Sequence, residues 1–168
     1  MIIVIDGIDG TGKTTVSKKV ATDIGFNYRH YPVDFSYWYN IVQDKQKALA
    51  LDILVNSVDP STNWILDRYL PSSKVYGMRT HLYNKVKKLV PPADYNILLC
   101  CDPTVAYKRM LDRGLDELDP NEKKLMAYQK KYLDLNIWDK IVDTTHKTTL
   151  EVYNDVRRFT ASCHNSLL

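Results

Sequence analysis

Cysteine is scarce in this chain of 168 residues, which contains only Cys100, Cys101 and Cys163. None of them belongs to a C-x-x-C pair, and the first two are adjacent within an apolar run. A disulfide framework or a zinc site needs cysteines paired at characteristic spacings. The sequence therefore favours free, buried thiols in a reducing compartment.

Long apolar runs and an excess of one charge are missing as well. No apolar stretch approaches the roughly 20 residues that a membrane helix requires, and the chain starts with a strand-like run instead of a signal peptide. The chain has 23 Lys and Arg residues and 20 Asp and Glu residues, which gives a net charge of +3. Its basic residues form only short clusters. We therefore expect a cytoplasmic protein (in the host cytoplasm, if the chain is viral) with no membrane or nucleic-acid partner.

Strand-like and helical patterns alternate along the chain, without a repeat or a linker. This alternation predicts one α/β domain over residues 1–168, in which helices flank a five-stranded parallel sheet in three layers. The predicted strands are Ile2–Ile5, Asn27–Tyr31, Trp64–Leu66, Tyr95–Cys101 and Ile141–Val142. The predicted helices are Thr14–Ile24, Trp38–Asn56, Ser73–Leu89, Thr104–Arg113, Glu122–Leu135 and Leu150–Phe159.

Three of only six glycines fall in one short segment, Gly7-Ile-Asp-Gly-Thr-Gly-Lys-Thr14. The segment matches the phosphate-loop (P-loop) pattern G-x-x-x-x-G-K-T, and it lies between a predicted strand and a predicted helix. Such a loop points backbone N–H groups at phosphates, while Lys13 reaches the β- and γ-phosphates and the Thr14 hydroxyl ligates Mg²⁺. We expect a fold of the P-loop NTPase type that binds a nucleoside triphosphate.

A second polar segment begins with Asp67-Arg68, directly after the third predicted strand. The carboxyl ends of the strands line the ligand crevice of a doubly wound sheet, so this segment should face Lys13. Asp67 can hold Mg²⁺ through water, and the guanidinium of Arg68 can donate two parallel hydrogen bonds to a phosphate. The alternative is an ion pair that only caps a helix. The N-K-x-D motif with which GTPases read guanine is absent.

The order and spacing of five segments resemble those of the thymidylate kinase family of nucleoside monophosphate kinases. The segments are Asp6–Thr15, Asp67–Tyr76, Ala93–Arg109, Tyr132–Leu135 and Ile141–Thr145. The resemblance implies transfer of the ATP γ-phosphoryl group to a deoxynucleoside monophosphate, with dTMP as the expected acceptor. It also implies Mg²⁺ as cofactor, small-molecule nucleotides as partners and a homodimeric assembly.

The resemblance further implies roles for individual residues. The implied catalytic residues are Lys13, Asp9, Arg68 and Arg113, and the implied metal residues are Thr14 and Asp67. ATP would be bound by Gly7, Asp9, Gly10, Thr11, Gly12, Lys13, Thr14, Thr15 and Arg109. The acceptor would be bound by Asp9, Tyr31, Pro32, Asn56, Arg68, Tyr69, Ser72, Ser73 and Tyr76.

The chain departs from the family's pattern in its P-loop. Some members carry a catalytic arginine where this chain has Gly10. The resemblance therefore shifts that role to a short, acidic lid at about residues 112–122, with Arg113 as the preferred candidate and Arg109 as the second. The alternative for Arg109 is a solvated charge on a helix face.

Two further departures leave the acceptor base open. Asp34 and Ser57 stand where family members usually have arginines, the second of which donates to the base. Deoxycytidylate, deoxyuridylate or a modified deoxyuridylate are therefore alternatives to dTMP. A deoxynucleoside kinase and a nucleotide-binding regulatory protein without turnover remain the alternative functions. Formation of ADP that depends on an added monophosphate distinguishes a monophosphate kinase from both.

Overall fold

A five-stranded parallel sheet forms the centre of the computed structural model, which describes residues 1–31, 41–114 and 121–165. Its strands are β1 (Ile2–Asp6), β2 (Asn27–His30), β3 (Trp64–Asp67), β4 (Tyr95–Cys100) and β5 (Lys140–Asp143), in the order β2-β3-β1-β4-β5. Every residue of β1 is buried, as expected for a central parallel strand that is covered on both faces.

Helices cover both faces of this sheet. They are α1 (Lys13–Ile24), α2 (Lys45–Val55), α3 (Leu70–Val75), α4 (Thr80–Lys87), α5 (Pro103–Asp112), α6 (Glu122–Leu133) and α7 (Thr149–Asn165). Ile2 and Val4 pack on one face with α2, α3 and α4, whereas Ile3 and Ile5 pack on the other with α1 and α7. The predicted three-layer α/β architecture is confirmed. No helix in the described residues is long and apolar enough to cross a membrane.

The prediction of one helix over Ser73–Leu89 is wrong, because the chain turns between α3 and α4. Gly77 adopts φ 108°, which a helix cannot accommodate. The turn is also tied to α2, since the side chain of Gln46 donates to the Gly77 carbonyl and accepts from the Arg79 N–H at 2.7 and 2.6 Å. A contact between distant segments, rather than the local pattern, ends the first helix.

The predicted helix Trp38–Asn56 is found from Lys45 onward. Asp44 precedes α2, and its carboxylate caps the helix by accepting from the N–H groups of Gln46 and Lys47 at 2.8 and 3.2 Å. Residues 38–40 lie outside the described residues. The remaining predicted elements are present, and α7 continues well past its predicted end at Phe159.

The P-loop packs directly against α5 at Gly10. A Cβ atom added to Gly10 would lie 2.4 Å from the backbone oxygen of Ala106, and the residue adopts φ 82°. Both the left-handed backbone and the contact with another main chain exclude a side chain here. The absence of an arginine at this position therefore has a steric cause in this protein.

We expect Gly10→Ala to destabilise the protein much more than Gly25→Ala. Gly25 also has a positive φ of 71°, but no described atom beyond its chain neighbours lies within 4 Å of a Cβ added there. Gly25→Ala should lower the free energy of unfolding by about 1 kcal/mol, the cost of a left-handed alanine. Gly10→Ala should lower it by about 2 kcal/mol more, because it overpacks the contact with α5. Urea unfolding followed by circular dichroism measures both, and equal losses would contradict the close approach.

Candidate active site

The carboxyl ends of β1 and β3 bring the P-loop next to Asp67 and Arg68. The two strands are neighbours, and Ile5 is paired with Asp67 in their register. The chain therefore enters the P-loop beside the point where β3 ends. This is the juxtaposition that the order of the strands predicts for a doubly wound sheet.

The P-loop ends at the amino terminus of α1, which is open to a ligand. Gly12 forms the N-cap with φ 85°, and no described side chain caps the helix there. Uncapped N–H groups at a helix start attract anions such as phosphate. Lys13 is buried, and its ammonium donates to the Ile8 carbonyl at 2.6 Å and lies 3.8 Å from Asp9 Oδ1.

Arg68 is a buried cation that contacts several segments at once. Its residue adopts φ 68°, and its backbone N–H donates to the Ile5 carbonyl at 3.0 Å. The guanidinium pairs with Asp9 and donates to the Gly7 carbonyl at 3.3 Å and to the Tyr132 hydroxyl at 3.2 Å. Burial disfavours its charged form, but the surrounding anionic and polar groups, Asp9 foremost, raise the pKa of Arg68 above its ordinary value.

Asp6 is fully buried beneath this arginine. Its carboxylate accepts from the Gly7 N–H at 2.9 Å, from the Ser72 N–H at 3.0 Å and from the Ser72 hydroxyl at 2.6 Å. The Arg68 guanidinium lies 4.0 Å away. Burial raises the pKa of Asp6, and these contacts offset only part of the shift. Asp6 thereby joins the end of β1 to the start of α3.

Asp9 is the carboxylate of this group that reaches solvent, with 35% of its side chain exposed. The Tyr76 hydroxyl donates to its Oδ2 oxygen at 3.3 Å. Burial works to raise the pKa of Asp9, but the charges of Arg68 and Lys13 hold it below its ordinary value. A carboxylate that stays ionised between two cations can accept a hydrogen bond from a hydroxyl group of a ligand.

Thr14 and Asp67 form a pair of oxygen ligands that fits a magnesium ion. The Thr14 hydroxyl donates to Asp67 Oδ2 at 2.6 Å, whereas the buried Oδ1 has no hydrogen-bond partner among residues 1–31, 41–114 and 121–165. Burial opposes ionisation, but hydrogen bonds from His30 and Thr14 and the charge of Lys13 lower the pKa of Asp67 to about 2. Hard oxygen ligands and an ionised carboxylate suit Mg²⁺.

The described residues contain no group of three or more His, Cys, Asp or Glu that can hold a metal ion. A magnesium ion at Thr14 and Asp67 would therefore take further ligands from water and from substrate phosphates, which is its usual mode in kinases.

A cavity of about 390 Å³ adjoins the P-loop on the side of α5. Gly10, Thr11, Gly12 and Thr15 line one wall, Arg109 and Arg113 line the second, and residues 147–149 line the third. Its volume lies within the range of small-molecule sites. Four of the predicted ATP-binding residues of the loop thus share one cavity with Arg109, whereas Gly7, Asp9, Lys13 and Thr14 are not part of its lining. Their contacts with ATP stay a prediction.

The two candidate arginines of the lid differ in their surroundings. Arg109 is half-buried and donates to the carbonyls of Thr144 and Thr145 at 2.8 and 3.1 Å, which supports the cavity wall. Arg113 is exposed, and its Nε donates to the Arg109 carbonyl at 3.1 Å. Both arginines line the cavity, and residues 115–120 of the lid lie outside the described residues. Arg113 is the preferred candidate from the sequence. Its catalytic role stays a prediction.

The predicted acceptor residues fall into two groups. Asp9, Arg68, Ser72 and Tyr76 meet in the cluster around the guanidinium, with the buried Ser73 beside them. Tyr31 and Tyr69 lie in the core with ring centroids 5.2 Å apart, and their hydroxyls donate to the carbonyls of Asn56 and Pro91.

Asn56 itself bonds to Asp52 through its side chain, and the guanidinium of Arg29 donates to the Asn56 carbonyl. Pro32 and Asp34 lie outside the described residues. The acceptor contacts of both groups stay predictions.

Sequence reasoning missed two members of the cluster, Asp6 and Tyr132. A carboxylate at the end of a buried strand was the only local signal for Asp6. Tyr132 lies 64 residues from Arg68, and its only signal in the sequence is that it begins the segment Tyr132–Leu135 of the family resemblance. Its hydroxyl lies 2.8 Å from that of Ser72, so α6 contacts the cluster directly.

Comparison with known proteins gives consistent results. The model of the thymidylate kinase family matches residues 39–156. A probable thymidylate kinase of Methanocaldococcus jannaschii is 28% identical, over 93% of this chain and 93% of that protein. A probable thymidylate kinase of Archaeoglobus fulgidus is 27% identical, over 98% of this chain and 97% of that protein. Among solved structures, a deoxyadenosine kinase from M. mycoides covers 100% of both chains with a TM-score of 0.66 and 19% identity, which shows a shared fold.

We expect binding of ATP to be coupled to proton uptake by Lys13. Burial and the nearby charge of Arg68 lower the pKa of Lys13 to about 8 in the nucleotide-free protein, although Asp9 and Asp67 counteract them. Phosphates raise this pKa, so affinity should fall as the pH rises through 8, and at about pH 9 binding should take up close to one proton per site. Calorimetry with EDTA, in buffers of different ionisation enthalpy, measures the uptake.

Two variants serve as controls for this measurement. Lys13→Met removes the titrating group and should abolish the uptake. Lys87→Met changes an exposed lysine of α4 and should leave it intact. Equal uptake by Lys13→Met and the unchanged protein would assign the proton to another group.

Proposed function

The chain belongs to the thymidylate kinase family, and from this premise we propose that it transfers the γ-phosphoryl group of ATP to a deoxynucleoside monophosphate, with dTMP as the expected acceptor. An oxygen of the acceptor phosphate bonds to the γ-phosphorus while the bond to the oxygen bridging the β- and γ-phosphates breaks. The products are ADP and the deoxynucleoside diphosphate. The family match and the P-loop beside Arg68 support this proposal.

The observation that carries it is that Lys13 and Arg68 approach the same carboxylate, that of Asp9. Lys13 Nζ and the Arg68 guanidinium both approach Asp9 Oδ1. Two cations held by a rigid sheet can receive a donor and an acceptor phosphate that lie close together. Phosphoryl transfer demands such positioning and charge neutralisation, and it needs little covalent chemistry from the protein.

Each residue then has a distinct task. Lys13 binds the donor phosphates, Arg68 binds the acceptor phosphate, and Asp9 accepts a hydrogen bond from the 3′-hydroxyl of the acceptor sugar. Arg113 approaches the donor phosphates from the lid. Thr14 and Asp67 would hold Mg²⁺, which neutralises charge on the β- and γ-phosphates when it is bound.

A homodimeric assembly and a cytoplasmic location accompany this proposal. Both rest on the family resemblance. Several large apolar side chains are exposed on the described surface, among them Val55 and Leu89 at 60% and 69%. Burial of such side chains against a second copy of the chain would be favourable.

The test is ADP release with ATP and Mg²⁺ against a panel of dTMP, dUMP, dCMP, dGMP, dAMP, UMP and thymidine. We expect the highest kcat/KM with dTMP. Preference for another monophosphate would keep the reaction and change the acceptor base. Turnover with thymidine alone would replace the proposal by a deoxynucleoside kinase. ATP binding without turnover on any acceptor would indicate a regulatory nucleotide-binding protein.

Arg68→Lys should weaken handling of the monophosphate while leaving ATP binding intact. Lysine keeps the charge but loses the planar fork that can bind a phosphate with two hydrogen bonds. We expect kcat/KM for the monophosphate to fall about 10- to 100-fold, the equivalent of one or two charge-assisted hydrogen bonds. Steady-state kinetics measure this change, and the Kd of ATP is measured in parallel.

The matched control is Arg79→Lys, which alters an exposed arginine at the start of α4. This variant should behave as the unchanged protein. An unchanged kcat/KM in Arg68→Lys would remove Arg68 from the acceptor site, and a loss of ATP affinity would assign it to the donor side.

A further inference from the structure

One oxygen of Asp67 is held by three hydrogen-bond donors. Asp67 Oδ2 accepts from the Thr14 hydroxyl at 2.6 Å, from the Tyr28 hydroxyl at 3.1 Å and from His30 Nδ1 at 2.8 Å. The side chain is fully buried, and its Oδ1 oxygen has no hydrogen-bond partner in the described part of the chain. The two oxygens of this carboxylate are therefore in very different environments.

Two of the three donors come from β2, which lies beside β3. In the register of the two strands, Tyr28 is paired with Ile65 and His30 with Asp67. Because alternate residues of a strand share a face, Tyr28 and His30 both reach Asp67, while Arg29 between them bonds to the Asn56 carbonyl on the other side. The end of β2 thus supplies a pair of side chains to the end of β3.

Both side chains present a donor to the same carboxylate oxygen. The Tyr28 hydroxyl donates to Asp67 Oδ2, and β2 and β3 pair in a register that brings Tyr28 within reach of it. His30 donates from Nδ1 to a carboxylate, a contact that fixes the tautomer with the proton on that nitrogen. Together they hold Asp67 Oδ2 even when the Thr14 hydroxyl is engaged by a metal ion.

We propose that Tyr28 and His30 are positioning residues of the magnesium site, which lock the Asp67 carboxylate so that its Oδ1 oxygen is left for the hydration shell of the ion. This inference rests on the proposed function, because it assumes that nucleotide and metal bind at Thr14 and Asp67. The contact that each side chain makes at this site is with the Asp67 carboxylate. Each acts through Asp67, as outer partners of metal ligands do in other proteins.

The experiment measures metal affinity apart from turnover. Mn²⁺ is the probe, and its free concentration is followed by electron paramagnetic resonance while it is titrated into protein that is in excess over ADP. The variants are Tyr28→Phe, His30→Leu and their combination. We expect each to raise the Kd of Mn²⁺ for the protein–ADP complex, with the double variant weakened about 10- to 100-fold.

Two matched controls separate positioning from structural damage. Tyr153→Phe removes a hydrogen bond of the same type, to Asp23 at the opposite end of α1, and should leave the Kd of Mn²⁺ unchanged. His30→Asn keeps an N–H donor near the position of Nδ1 and should recover affinity that His30→Leu loses. The Kd of ADP in EDTA should stay close to that of the unchanged protein in all variants.

Three results would overturn the inference. Equal Mn²⁺ affinity in the double variant and the unchanged protein would show that Asp67 needs no positioning. A loss of ADP affinity in EDTA by the same factor would make the role structural. If the unchanged protein–ADP complex bound Mn²⁺ no better than ADP alone, the proposed metal site at Thr14 and Asp67 would be refuted. The positioning role of Tyr28 and His30 would then be refuted as well. Should the double variant not fold, Tyr28→Phe alone decides, since it deletes one hydroxyl and keeps the ring.

Discussion

The buried charge of Arg68 is the constraint on which the cleft depends. A buried guanidinium is stable only when several anionic or polar groups surround it, because loss of its hydration costs several kcal/mol. Here the partners come from the end of β1, the P-loop, α3 and α6. The guanidinium is therefore stabilised only when segments that are far apart in the chain come together around it. The same assembly forms the candidate active site.

The cleft carries no surplus positive charge of its own. Three carboxylates, those of Asp6, Asp9 and Asp67, face the two cations Lys13 and Arg68, and burial lowers the pKa of Lys13. Substrate phosphates must therefore be balanced by groups that join later or lie nearby: the amino terminus of α1, Arg109 of α5, Arg113 directly after that helix, and a divalent ion. A site with this balance favours phosphates that arrive with a metal ion, which agrees with a Thr14–Asp67 pair that fits one.

The sequence was sufficient for those parts of the fold that local pattern determines. A β-branched run marked the first strand, and the spacing of Gly7, Gly12 and Lys13 marked the P-loop. The rule for parallel sheets placed Asp67 beside it. The break at Gly77 escaped prediction because Gln46, more than 30 residues earlier, stabilises the turn. Likewise, nothing near Tyr28 or Tyr132 in the sequence shows which carboxylate or guanidinium its hydroxyl meets. Contacts between distant segments decide these details, and the local pattern of apolar residues does not predict such contacts.

The close approach of Gly10 to α5 also limits the routes along which this protein can change. The atom that a new side chain would meet is a backbone oxygen, so trimming Ala106 would not create room. An arginine can enter the P-loop at this point only if α5 moves, and that helix carries Arg109 and is followed directly by Arg113. A substitution that places an arginine at position 10 must therefore also displace α5. An arginine in the P-loop and the position of Arg109 are therefore linked through the backbone, because a change that admits the first displaces the helix that carries the second.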